Sequence, residues 1–320
     1  MRWYVYIVAF CIVAALVIPM MVYGIIFVKN GENGIEKQKN TKKDTIEVLV
    51  SETGKVVTLE TEEYLCGVVA AEMPASFEKE ALKAQAVAAR SYAVNRKNNP
   101  ASEHPEADVC TDCTHCKAYK PPEELAKMWG EDKEKYLTKI RDAVFSTTGE
   151  VVKYNGEVAL AVFHSQSGNG RTESSKDVWG GEVPYLVSVE SPGEENSPNF
   201  YSTVTVSFEE FKEKISASYP NVVIKSVQDI GETEESDGGS VKYINIAGTK
   251  ISGKDIRQIF GLRSACFEVE TDGNTVIFNV MGYGHGVGMS QYGANIMAQE
   301  GADYKQILTH YYTGTEVSAV

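Results

Sequence analysis

The sequence predicts an α+β fold preceded by one N-terminal transmembrane helix. Three observations predict it. Strand-like and helix-like segments are mixed without the regular alternation of a doubly wound sheet. Two pairs of alternating strands are joined by tight-turn signals at Glu52–Gly54 and at Asn155-Gly156. An uncharged run occupies residues 3–28, ahead of an otherwise ordinary globular composition.

That run, WYVYIVAFCIVAALVIPMMVYGIIFV, rises about 1.5 Å per residue as a helix and reaches across a bilayer core. It exceeds the apolar region of a cleavable signal, about 7–15 residues. Residues 1–28 are therefore read as an uncleaved anchor, and Pro19 is tolerable in a membrane helix. Residues 29–45 carry five lysines against three acids with almost no apolar content, a solvated linker. The remainder is read as an N-terminal part over 46–155 and a β-rich C-terminal part over 156–320. In the first part, IEVLVSETGKVVTLETEEY forms a hairpin. Thr61 caps a helix with Glu62 and Glu63 in its first turn, and Pro74 ends it. Ser76 caps a second, alanine-rich helix over 77–97, whose end suits Arg96 and Lys97. A polar helical stretch covers 122–146. In GEVVKYNGEVALAVFHSQSG two strands flank the Asn-Gly turn. A helix over 208–219, strands over 222–227 and 241–247 and a helix over 253–260 follow. Strands over 265–270 and 275–281 lead to a last helical region beginning near Ser290, and no segment repeats.

The chain carries a net charge of −13 although its linker is positive, so the globular part is more acidic still. Such a surface excludes nucleic acid, which demands dense cationic contacts. Lysines beyond the anchor outnumber the single Arg2 before it, so charge alone would leave the large domain in the cytoplasm, and its placement has to come from its chemistry. Of the six cysteines, Cys11 lies in the anchor, and Cys66 and Cys266 sit among apolar residues as small hydrophobes. Cys110, Cys113 and Cys116 cluster.

Four stretches carry chemistry. Leu65, Val68, Val69 and Glu72 fall at i, i+3, i+4 and i+7, so Glu72 shares a helix face with residues made for burial. It is either a general acid whose pKa is raised by apolar neighbours, or a buried glutamate paired with Arg90 or Lys83; the sequence leaves both open. HPEADVCTDCTHC offers five soft or borderline ligands, and four suffice for tetrahedral zinc. The chosen set is His104, Cys110, His115 and Cys116, with Cys113 to spare; four protein ligands make such a zinc structural. The fourth cysteine of a bacterial ferredoxin run is missing. GYGHGVGMSQYGA places glycine at alternate positions around His285, but no Lys-Ser/Thr pair follows as a phosphate loop requires. FHSQSGNGRTESSKDVWGGEVPYL interleaves polar side chains with Trp179 and Tyr185, as a sugar-binding groove requires. His164 beside Ser165 and Ser167 does not make a triad, and the nucleophile-elbow pattern is absent.

Taken together, LCGVVAAEMPASFEKEALKAQAVAARSYA, FHSQSGNGRTES…VWGGEVPYLVSV and GHGVGMSQYGA resemble the stage II sporulation protein D family and its amidase-enhancer relatives. The resemblance runs from about residue 47 to the C-terminus. It implies a peptidoglycan lytic transglycosylase of endospore engulfment, with Glu72 as catalytic acid/base and Lys83, Arg90 and Tyr92 beside it. Further substrate contacts implied are His164, Ser165, Ser167, Thr172, Glu173, Trp179, His285, Gln291 and Tyr292. The cysteine cluster resembles the zinc site of clostridial members, at matching spacing for His104, Cys110, His115 and Cys116. Also implied are a glycan stripped of stem peptides by an amidase, stage II sporulation protein P, and a membrane complex with it and stage II sporulation protein M. The catalytic domain then lies outside the cytoplasm, between mother cell and forespore. The alternatives are a non-catalytic glycan-binding enhancer of the amidase and a zinc hydrolase that chelation would silence without unfolding.

Overall fold

A computed structural model describes residues 44–112 and 115–320 of the chain. The expected anchor, nearly all of the linker, and Cys113 lie outside the described residues. Among those described, no helix is long and apolar enough to cross a membrane.

The expected hairpin is present: β1 (Thr45–Val50) pairs antiparallel with β2 (Lys55–Glu60), from Thr45↔Glu60 to Val50↔Lys55. α1 (Thr61–Glu72) follows at once with Glu60 at the N-cap, so Thr61 is the first helical residue rather than the cap. Pro74 pushes Met73 into an extended conformation (φ −126°, ψ 136°) and stops the helix at Glu72. α2 (Lys79–Asn98) starts later than the sequence suggests, with Glu78 rather than Ser76 at its N-cap. The Glu78 N–H donates to Asn295 Oδ1 at 2.7 Å, a tertiary partner that no local pattern reveals.

β3 (Val109–Cys110) joins β1 in parallel. The helical stretch expected over 122–146 is broken at Gly130 into α3 (Pro122–Trp129), a 3-10 turn (Gly130–Asp132) and α4 (Lys133–Phe145). β4 (Glu150–Tyr154) and β5 (Glu157–Val158) flank Asn155 and Gly156, whose φ values of 50° and 84° are those of a type I′ turn. β6 (Phe163–His164) and a short α5 (Ser175–Trp179) follow.

β7 (Tyr201–Ser207) and α6 (Phe208–Ser218) lead into the segment read as a strand over 222–227. It pairs with nothing: Val222 and Ile224 are buried by the core, while Ser226 and Asp229 form a capping box around a 3-10 turn. The strand is instead β8 (Ile230–Glu235), beside β9 (Val241–Ile246), which lies between it and β10 (Thr249–Ser252). α7 (Gly253–Phe260), β11 (Phe267–Asp272) and β12 (Thr275–Met281) follow, with β12 between β11 and β7. β13 (Met289–Ser290), α8 (Gln291–Gln299), α9 (Tyr304–Tyr311) and β14 (Glu316–Ala319) complete the chain.

Two apolar cores result. In the first, α2 packs against α1, α4, α8, α9 and β4. Its alanines at 81, 84, 86, 88, 89 and 93 are at most 2% exposed, and such small side chains let four helices close around it. The second core, within residues 204–280, packs the β7–β12–β11 and β8–β9–β10 sheets with α6 and α7 around Phe211, Phe260 and Phe278. The α+β class is as expected. The chain enters the second core at β7 and returns to the first at Val287, just before β13, and that return assembles the site.

Candidate active site and metal centre

β13 lies parallel to β6, with Met289 opposite Phe163 and Ser290 opposite His164. Two motifs separated by more than a hundred residues therefore share one strand pair. The glycines of the second motif permit it: a Cβ on Gly288 would overlap the Val162 carbonyl oxygen, and one on Gly284 would lie 2.7 Å from His164 Cβ. Both have positive φ, 74° and 118°. Ser290 then caps α8 by accepting the Gly293 N–H at 3.1 Å, and α8 presents Gln291.

Glu72 stands half-buried at the end of α1, on the face that buries Leu65, Val68 and Val69. Its Oε1 accepts the Ala118 N–H at 2.9 Å, and among the described residues Oε2 receives only a long 3.5 Å contact from Gln291 Nε2. Neither partner suggested by the sequence pairs with it. Lys83 bonds Glu80 at 2.7 Å. Arg90, 2% exposed, binds Glu62 through Nε at 3.0 Å and Nη2 at 2.5 Å, and donates to the carbonyls of Glu150 and Val144.

The residue that sequence reasoning missed is Lys117. Its buried ammonium lies 3.8 Å from the Phe163 ring centre and 4.8 Å from that of Tyr92. Burial lowers its pKa to about 8, opposed by the nearby Glu72 carboxylate. Its place directly after a metal-ligand candidate was the available signal. Tyr92 backs the same loop, its hydroxyl donating to the His115 carbonyl at 3.4 Å.

His164 is buried; it donates from Nδ1 to the Val287 carbonyl at 3.2 Å and accepts from Ser167 Oγ at 2.9 Å. Burial pushes its pKa down to about 4, so the ring is neutral. Among the described residues no carboxylate hydrogen-bonds His164, and Ser167 is 1% exposed, so this Ser–His contact is not a nucleophilic triad. The Ser167 N–H donates to Glu194, a buried carboxylate that also accepts from Ser191 and Ser290. Burial raises the Glu194 pKa to about 7 while these donors pull it back. Half-buried His285 lies between the rings of His164 and Trp179, at 5.7 and 5.4 Å, and burial holds its pKa well below the usual histidine value. Trp179 is 43% exposed. Tyr292 packs edge-on to Phe77, and its N–H holds the carbonyl of half-buried Ser165 at 3.1 Å. Thr172 and Glu173 are buried and tie segments together: Thr172 accepts the Val189 N–H, and Glu173 accepts from Ser236 and Ser240.

The four chosen metal ligands converge. One donor atom from each of His104, Cys110, His115 and Cys116 lies within 4.8 Å of the others. His104 Nε2 is 3.3 Å from Cys116 Sγ, and His115 Nδ1 is 3.4 and 3.5 Å from the sulfurs of Cys116 and Cys110. A zinc tetrahedron with bonds near 2.0 and 2.3 Å has edges of about 3.3–3.8 Å, which these three nitrogen–sulfur separations match. His104 gives its Nδ1–H to the Ala107 carbonyl at 3.0 Å, which leaves Nε2 for a metal. Cys110 is pinned by the β1–β3 pairing opposite Leu49. Two residues after Cys116, the chain supplies the amide that holds Glu72. Cys66 and Cys266 are buried and unbridged, as expected.

The Stage II sporulation protein family profile matches residues 50–154, which hold both Glu72 and the cysteine cluster. The chain is similar to stage II sporulation protein D of Bacillus subtilis (strain 168), at 43% identity over 82% of this chain and 76% of that one. It is similar to the Bacillus amyloliquefaciens protein of the same name, at 41% over 82% and 75%. It is also similar to an amidase enhancer of Bacillus subtilis (strain 168), at 29% identity over 80% of this chain and 40% of the relative.

Proposed function

Because this chain belongs to the stage II sporulation protein D family, we propose that it is a membrane-anchored lytic transglycosylase of the sporulation septum, with Glu72 as its acid and base. The observation that carries this reading is the asymmetric seating of Glu72: one oxygen fixed by a backbone amide, the other lightly held and half-buried. Oε2 is thus the oxygen that exchanges a proton.

Protonated Glu72 gives its proton to the oxygen between C1 of N-acetylmuramic acid and the next N-acetylglucosamine as the C1–O bond breaks. The C6 hydroxyl of the same muramyl ring forms the new bond to C1. Its proton passes to the Glu72 carboxylate, which leaves a 1,6-anhydro end. The nucleophile belongs to the substrate, so the carboxylate pair of hydrolytic glycosidases is not required. General acid–base assistance contributes on the order of 10²–10⁴-fold, and intramolecular attack adds the advantage of pre-orientation. Trp179, an exposed residue, offers a face to a sugar ring, with His285 as its polar neighbour.

His104, Cys110, His115 and Cys116 would hold a structural zinc, whose four protein ligands leave no position for water and so supply rigidity alone. By analogy with the family, the partners are the amidase stage II sporulation protein P and stage II sporulation protein M, and the catalytic part faces the space between mother cell and forespore.

The similarity to an amidase enhancer favours a second reading, a glycan-binding protein that stimulates an amidase without cutting. Mass spectrometry of peptide-free strands incubated with the protein separates the two. Anhydro ends mark the enzyme, and intact, tightly bound strands mark the enhancer.

A further inference from the structure

The two sheets of the second core each leave an edge open, and two of the open edges share a groove. β8 pairs only with β9, and β11 only with β12. Among the described residues, no other backbone hydrogen bond reaches either strand. Five residues of each strand line a groove of about 400 Å³, and none of them belongs to the site described above. They include sequence neighbours, whose side chains point to opposite faces of a strand, so the groove is bordered by strand edges. On β11 the free groups can be named. The Met281 N–H donates to the Cys266 carbonyl at 2.9 Å. By the alternation of an antiparallel ladder, Phe267, Val269 and Thr271 then turn their N–H and C=O groups away from β12.

The groove is also acidic. Exposed Glu232, Glu235, Glu268 and Glu270 line it, and no Lys, Arg or His does. Glu234 is held by Lys250 at 2.8 Å, but among the described residues these four form no salt bridge. Nor do they converge as the ligands of a metal ion would. Charge along an open edge repels a strand of like charge and admits one of opposite charge. We propose that the groove takes an extended, lysine- or arginine-rich segment of a partner protein, added as a strand along the edges of β8 and β11. The added strand pairs its main chain with the free groups of both edges, and its cations meet the four glutamates. Five residues on each edge correspond to a partner segment of about five residues, ~17 Å long.

The test follows amide hydrogen exchange in the full chain with a heptapeptide that alternates lysine and valine. The peptide is expected to slow exchange at Phe267, Val269 and Thr271, and to leave Glu268 and Glu270, already bonded to β12, unchanged. Joint substitution by Glu232→Gln, Glu235→Gln, Glu268→Gln and Glu270→Gln removes only exposed charges. It is expected to weaken binding about tenfold, the sum of four exposed ion pairs lost together. The same peptide N-methylated at alternate residues keeps its charge but loses main-chain donors. It is expected to leave the three amides unprotected, and it tests the pairing with the protein unaltered. Failure of the lysine–valine peptide to slow those three amides overturns the proposal. Equal binding by the N-methylated peptide, by a glutamate–valine peptide, or to the fourfold variant overturns it too. Protection that grows with protein concentration in the absence of peptide assigns the groove to a second copy, and likewise overturns it.

Discussion

Replacing Arg90 with methionine decides whether this residue touches substrate or holds the fold. Its guanidinium makes two charge-assisted bonds to Glu62, at 3.0 and 2.5 Å, and donates to the Glu150 and Val144 carbonyls at 3.0 and 3.1 Å. The Arg90 side chain is 2% exposed and that of Glu62 18%. Methionine fills much of the volume but leaves the Glu62 carboxylate uncompensated and two carbonyls without their donor. Loss of one partner of such a pair costs about 3–5 kcal/mol. For a domain of this size that lowers the melting temperature by on the order of 10 °C. Calorimetry gives the stability, and glycan cleavage below the transition gives turnover per folded molecule. The expected outcome is a large loss of stability with unchanged turnover. A Glu62→Leu/Arg90→Met protein, with both charges gone, recovers most of the loss. An Arg90→Met protein as stable as the parent but without turnover would refute this reasoning and return Arg90 to the site.

Glu194 carries a pH dependence. Its folded pKa of about 7 lies above the ordinary 4.5, so the native state holds a proton that the unfolded chain has lost. The associated stability, about 3 kcal/mol, is complete below pH ~4.5 and is lost as pH rises through ~7. Glu194→Gln is expected to flatten that slope in denaturant titrations, and an unchanged slope would contradict it. Cys116→Ser should abolish metal binding, measured by elemental analysis, and lower both melting temperature and turnover together, because the Ala118 amide that seats Glu72 follows the ligand by two residues. Full activity in a metal-free protein, or lost activity at unchanged stability, would contradict a structural zinc.

Local chemistry was legible and tertiary placement was not. Asn155-Gly156 fixes its turn through positive φ, and Ser252 and Ser290 cap α7 and α8 by side-chain bonds to amides three residues on, so those elements fall where the sequence puts them. The cluster of His104, Cys110, His115 and Cys116 was legible because its ligands are close in sequence as well as in space. Ser76 misled as a cap because the Glu78 amide finds Asn295, from a helix more than two hundred residues away. The segment 222–227 has strand-like residues, but it anchors the second core through Val222 and Ile224 with no strand beside it. Lys117 reads as an ordinary basic residue until folding sets it against Phe163 and Glu72. Glu194 likewise gains its meaning from Ser167 and Ser290, which folding brings to it beside the local Ser191.

The most direct test of the central claim is digestion of peptide-free glycan in heavy-oxygen water, with the parent protein and Glu72→Gln side by side. Transfer to the C6 hydroxyl predicts anhydro-muramyl ends, lighter by one water than hydrolysis products and without solvent oxygen, from the parent alone. Heavy oxygen at the new reducing ends, or anhydro ends formed equally by the Glu72→Gln protein, would contradict the mechanism.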